Sequence, residues 1–173
     1  GIVTNLGGEI TVSSTPGMGS SFQVYLPRLE ADIDEKGFTE MAVPAGNNER
    51  ILLVDDEEAI LHFGKNMLEQ MGYRVCIASA STAALEMFDK DPAQFDLVIT
   101  DQTMPNMTGE KCASNMLLLR PDIPIILMTG HSETITAQKA AQQGIRYFME
   151  KPFSRFELGK AIHEALHPHN DMV

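Results

Sequence analysis

Between residues 50 and 167, short uninterrupted apolar runs alternate with longer amphipathic stretches, and few folds accommodate that alternation. The runs are "ILLV" (51 to 54), "RVCIA" (74 to 78), "DLVIT" (96 to 100), "IPIILMT" (123 to 129) and "YFM" (147 to 149). Continuous runs of this length are expected of strands buried on both faces. Helical spacing marks the intervals Glu57 to Met71, Ser81 to Asp89, Gly109 to Leu119, Glu133 to Gln143 and Ser154 to Leu166. Parallel neighbours need a right-handed crossover, and a helix supplies each one. The expected fold is doubly wound α/β, a five-stranded parallel sheet with helices on both faces.

In such sheets functional groups collect beyond the carboxyl ends of the strands. Those ends carry Asp55 and Asp56 after "ILLV", Asp101 after "LVIT", Thr129 after "IILM" and Lys151 after "YFME". For a lone Asp101 the plain reading is a turn residue, its side chain accepting from the backbone two residues on. Five converging polar residues argue for more. Three carboxylates in one place repel one another and call for a cation among them. Lys151 answers one charge, and the remaining oxygens suit a hard divalent ion, with Mg2+ the expected one. A structural ion-pair cluster is the competing interpretation. Divalent cation, lysine and hydroxyl are together the parts that hold a phosphoryl group, and a carboxylate is able to accept it as an acyl phosphate. Asp101 is the candidate acceptor because it stands alone at the end of the central strand. Asp55 and Asp56 are adjacent, so their side chains diverge, and one would reach a metal directly while the other acts through water.

The segments "LLVDDEE", "DLVITDQTMPNMTG", "ILMTGH" and "YFMEKPF", in this order, resemble the receiver domain of two-component response regulators over roughly residues 50 to 167. The resemblance implies a flavodoxin-like sheet of order 2-1-3-4-5. It implies that Asp101 is the phosphoacceptor, that Asp56 and Asp101 bind Mg2+ with the Thr103 carbonyl, and that Asp55 assists through water. Thr129 would bond the phosphoryl oxygen, Lys151 would pair with it, and Phe148 would be the aromatic switch position alongside Thr129. Thr103 and His131 would flank the hydrolytic water and tune the phosphoryl lifetime, which is expected to be minutes or longer. The expected partner is a histidine kinase or a histidine phosphotransfer protein, and the face from 133 to 166 could pair two copies. No effector domain is expected after residue 167, so output is expected to pass to a histidine phosphotransfer partner or to act back on the kinase.

Residues 1 to 28, "GIVTNLGGEITVSSTPGMGSSFQVYLPR", resemble the end of the ATP-binding domain of sensor histidine kinases, a helix followed by "GGEI", a strand, a "PGMGSSF" turn and a last strand. A generic hairpin with a Gly-rich turn is the alternative. The order kinase tail, linker, receiver implies a C-terminal fragment of a hybrid histidine kinase. The nucleotide-binding loops and the phosphoacceptor histidine would precede Gly1, so kinase activity is expected to be absent here. Residues 29 to 49 hold six acids against one lysine and read as a solvated linker, and residues 168 to 173 as a tail.

The net charge of -11 and the absence of a basic cluster speak against nucleic acid. No apolar run approaches the ~20 residues that span a bilayer, and the first residues lack a signal-like leader, so no direct membrane contact and a cytoplasmic location are expected. Cys76 and Cys112 are too few for a disulfide scaffold and are expected as buried thiols. "HEALHPH" places His163 and His167 one helical turn apart with His169 beyond, a possible metal site that lacks a carboxylate or thiol in register, so a solvated helix end is preferred. "MLEQM" and "MPNM" read as core filler and loop. "PGMGS" lacks the lysine and helix of a phosphate loop.

Three functions follow. The leading one is a receiver that takes phosphate from a phosphohistidine and slowly hydrolyses it. The second is a Mg2+-dependent aspartyl-phosphate phosphohydrolase, which would want D-x-D where Glu57 stands. The third is a phosphate-independent interaction domain.

Overall fold

The computed structural model describes residues 2–28, 44–130, 141 and 144–168. The chain separates into two units, residues 1–39 and 40–173. In the first, a one-turn helix α1 (Ile2–Asn5) leads to the antiparallel hairpin β1 (Glu9–Thr15) and β2 (Gly19–Tyr25). Register pairs Ile10 with Val24 and Val12 with Phe22, placing four apolar side chains on one face. All four are exposed within this unit.

The second unit contains five parallel strands: β3 (Arg50–Val54), β4 (Arg74–Ala78), β5 (Leu97–Asp101), β6 (Ile125–Thr129) and β7 (Tyr147–Glu150). Their order, β4-β3-β5-β6-β7, is the doubly wound order 2-1-3-4-5 that the resemblance implies. Helices α2 (Glu58–Gln70), α3 (Ser81–Lys90), α4 (Gly109–Leu119) and α5 (Arg155–Leu166) follow the first, second, third and last of these strands. The helix expected over Glu133 to Gln143 lies outside the described residues, apart from Ala141.

Period-two alternation in the strands splits the interior into two layers. Leu52, Val54, Val98, Ile125 and Leu127 pack with Ala84 and Phe88 of α3 and Cys112 and Met116 of α4. Ile51, Leu53, Leu97, Ile99, Ile126 and Met128 point the other way, to Leu61 and Leu68 of α2 and Leu158 and Ile162 of α5. The helix ends follow local chemistry. Ser154 caps α5 in a capping box with Glu157. α2 stops at Met71 because Gly72 adopts φ +95, a conformation a side chain would resist. Gly46 and Asn48 donate to the Met71 and Gly72 carbonyls, so the end of the acidic segment is bonded to this unit.

Burial on both faces holds for β5 and β6, and for β3 beyond Arg50, but not for the sheet margins. β4 is an edge strand with a graded pattern, and Cys76 on it is exposed, contrary to the expected burial. Apolar runs look alike at an edge and in the centre, because only the neighbouring strand distinguishes them. Cys112 is buried as expected, and burial pushes its thiol up to about 11. Among the described residues no helix is long and apolar enough to cross a membrane.

Candidate functional site

The carboxyl ends of β3 and β5 set two aspartates side by side, and each makes the same pair of contacts. Asp55 Oδ1 accepts the Glu57 N–H at 2.9 Å, and Asp101 Oδ2 accepts the Thr103 N–H at 2.8 Å. These are Asx-type turns, so the plain turn role of Asp101 is present. The second oxygen of each faces Lys151, whose ammonium donates to Asp55 Oδ2 at 3.1 Å and to Asp101 Oδ1 at 2.5 Å. One lysine thus bridges two carboxylates from non-consecutive strands.

Lys151 is brought there by β7. Its N–H donates to the Thr129 carbonyl at 2.7 Å, which joins the ends of β6 and β7. Asp55 and Asp101 are 1% and 7% exposed, whereas the Lys151 side chain keeps 27%. Burial raises the Asp101 pKa above the ordinary value, outweighing the Lys151 ammonium and the Thr103 N–H, which stabilise the charged form. Burial also acts against charge on Lys151, but attraction from Asp101 and Asp55 together exceeds it and the pKa is raised. The asymmetry has a simple cause, since the lysine has two carboxylate partners while Asp101 shares its one cation.

Thr129 is 2% exposed, and its hydroxyl has no partner among the described residues. Phe148 is in register with Leu127, so it lies on the same sheet face as Thr129 and one strand over. It is already half-buried against the α3/α4 layer. Asp56 is exposed, which agrees with the divergence expected for adjacent acids. Among the described residues no three acidic, histidine or cysteine side chains converge on one point, so Asp55, Asp56 and Asp101 do not form a closed ligand set while Lys151 stands between two of them. His131 lies outside the described residues.

Three contacts that the sequence did not single out shape the loop after Asp101. The Gln102 carbonyl accepts from Gly109 N–H and its side-chain oxygen from Glu110 N–H, each at 3.0 Å, closing residues 102 to 109 into a ring. Ser81, from the start of α3, donates to the Met107 carbonyl at 2.8 Å. Met104 is buried beneath this loop. A Cβ on Gly109 would run into the Asp101 carbonyl, so the motif glycine is a close-approach position. Ser81 carried no sequence signal, because its partner is 26 residues away.

The fold and this edge define a doubly wound α/β domain with a lysine-bridged acidic site. Residues 51–163 match the response regulator receiver domain family, and the chain belongs to it. The chain is 31% identical over 177 aligned residues to the sensor kinase CckA of Brucella abortus (strain 2308), taking in 96% of this chain and 18% of that protein. It is 33% identical over 159 residues to the aerobic respiration control sensor protein ArcB of Escherichia coli (strain K12), covering 88% and 20%. The chain therefore spans about a fifth of the length of these curated relatives. The structure matches a response regulator receiver domain protein of Clostridium thermocellum with a TM-score of 0.66 at 34% identity, over 69% of this chain and 94% of that one. A CheY-like receiver domain protein of Methanospirillum hungatei JF-1 matches with a TM-score of 0.64 at 31% identity, again over 69% and 94%. This is a receiver domain of two-component signalling.

Proposed function

We propose that Asp101 accepts a phosphoryl group from a phosphohistidine of a histidine kinase or histidine phosphotransfer protein. The observation that carries this reading is the Lys151 bridge: a buried carboxylate held at a strand end with its cation in contact. The Asp101 oxygen attacks phosphorus, the P–N bond to the donor imidazole breaks, and the imidazole keeps the electron pair. Lys151 meets the charge arriving on the phosphoryl oxygens, and the Thr129 hydroxyl, without a partner among the described residues, is available to donate to one of them.

The donor chemistry of Asp55, Asp56, Asp101 and the Thr103 carbonyl, all hard oxygens, fits Mg2+. Bound there, the ion would neutralise charge on the acyl phosphate and its acceptor. Reduced attraction on Lys151 would then free it for the phosphoryl group. Thr103 and His131 are proposed to flank the path of hydrolytic water, and Thr129 with Phe148 to read out the phosphorylated state. A cytoplasmic location follows from the phosphohistidine donor.

The sensor-kinase alignments extend over 96% and 88% of this chain, beyond the 51–163 receiver match. With the helix and hairpin of residues 2–25 they support a second part of the reading, that the N-terminal unit is a remnant of a kinase ATP-binding domain ahead of an acidic linker.

Incubation with acetyl phosphate and Mg2+ tests the assignment. A stoichiometric, base-labile adduct on Asp101 that disappears in Asp101→Asn is expected. Multiple turnover without a stable adduct would favour a phosphohydrolase, and an adduct persisting at full yield in Asp101→Asn would end the assignment.

A further inference from the structure

The last turn of α5 carries an arrangement independent of the Asp101 site. His163 and His167 are four residues apart, and the His167 N–H donates to the His163 carbonyl at 2.9 Å, so both belong to one closed helical turn. Their ring centroids are 4.7 Å apart and the rings meet edge to face at 63°. Both residues are exposed, and apart from each other neither ring has a partner among the described residues.

The turn beneath them is anchored. Tyr147 of β7 donates its hydroxyl to the Glu164 carbonyl at 2.8 Å. Ile162 and Ala165 are buried in the layer under α5, and Leu166 packs against it. Two imidazoles whose one partner among the described residues is each other are thus presented on the same side of a turn whose backbone is held, which lowers the ordering cost of a ligand that needs both. The carboxyl end of a helix also favours a cation.

We propose that His163 and His167 chelate a borderline divalent transition-metal ion, Zn2+ in the physiological case. Imidazole selects such ions over Mg2+. A metal–nitrogen bond of about 2.0–2.1 Å puts two nitrogens on one ion roughly 3 Å apart, within reach of rings already in contact. The pattern His163-Glu164-x-x-His167 is that of zinc-binding helices. Here Glu164 pairs with Lys160 at 3.8 Å, one turn back on the same exposed helix, and does not converge with the two rings on one point. No third ligating side chain converges on the pair among the described residues, which leaves the other positions to water or to a donor from another molecule. The site lies away from Asp101: His167 lines a cavity of about 360 Å3 together with Asp96 and Pro124, which precede β5 and β6, at the opposite edge of the sheet.

Calorimetric titration of the full chain with zinc chloride, in buffer containing saturating Mg2+, tests the proposal. One saturable Zn2+ per chain is expected. It should be lost in His163→Ala and in His167→Ala, and kept in Asp101→Asn and in the exposed-histidine control His62→Ala. Both deleted rings are exposed, so circular dichroism should show the variants folded as the parent. Absence of binding to the parent chain, retention in either His163→Ala or His167→Ala, or loss in Asp101→Asn would each overturn it.

Discussion

Replacing Lys151 with Met isolates what the bridging charge contributes. Methionine keeps an unbranched stem beside Leu53, Ile60 and Phe153, which with Lys151 line an apolar groove, so packing changes little. The ammonium is what disappears, leaving Asp55 and Asp101, 1% and 7% exposed, facing each other without a cation. Removing one partner of a fully buried ion pair costs about 3–5 kcal/mol. Lys151 is itself about a quarter exposed, so the lower end applies, about 3 kcal/mol at pH 7. With a urea m-value of about 1–3 kcal/mol/M, the unfolding midpoint should drop by on the order of 1–3 M. The sign with pH follows from the carboxylates. Asp101 already has a raised pKa, and losing Lys151 raises it further, so the variant binds more protons folded than unfolded. Its deficit is therefore largest at neutral pH and shrinks as pH falls through that raised folded value toward the ordinary 3.8. Urea unfolding followed by circular dichroism at pH 7 and at about pH 5, on parent and variant together, gives the comparison. A deficit unchanged between the two would mean the loss is packing, and no deficit at either would mean that the bridge contributes nothing to the fold.

Three further outcomes are expected. In the alkaline range the same pair of proteins should converge: the stabilisation from Lys151 is complete below the ordinary lysine value of 10.5 and is lost as pH rises through its higher folded value, readable from thermal unfolding against pH. Gly109→Ala should cost about 1–3 kcal/mol and lower the acetyl phosphate labelling of Asp101, because the new methyl displaces the Asp101 backbone; unchanged labelling with unchanged stability would refute that close approach. Phe95→Ala, which empties a fully buried ring stacked on Phe88 with centroids 6.1 Å apart, should cost about 3–5 kcal/mol in chemical unfolding while leaving the Asp101 edge able to react.

Much of the fold was legible because its determinants are local. α4 spans Gly109 to Leu119 and β4 spans 74 to 78, as read from spacing, and the other described elements of the sheet unit differ by a few residues at most. The burial period of a strand and the 3.6-residue period of a helix are written into consecutive residues, so type and extent come through. The strand-end positions of Asp55, Asp101, Thr129 and Lys151 came through for the same reason, once the parallel arrangement was granted. The exposure of Cys76 did not, because an edge is a property of strand order. Nor did the Ser81 contact with Met107 or the Gln102 ring around the loop, which join residues whose meeting no local pattern records.

The sequence by itself placed a carboxylate at the end of each of two strands and a lysine at the end of a third. Only the tertiary structure decided that Lys151 touches both, 96 residues from one and 50 from the other, with each aspartate using its second oxygen to hold its own turn. The physical reason is that charge type is a property of the residue, whereas the burial that raises the Asp101 pKa and makes that ammonium matter arises only when the sheet brings the strand ends together.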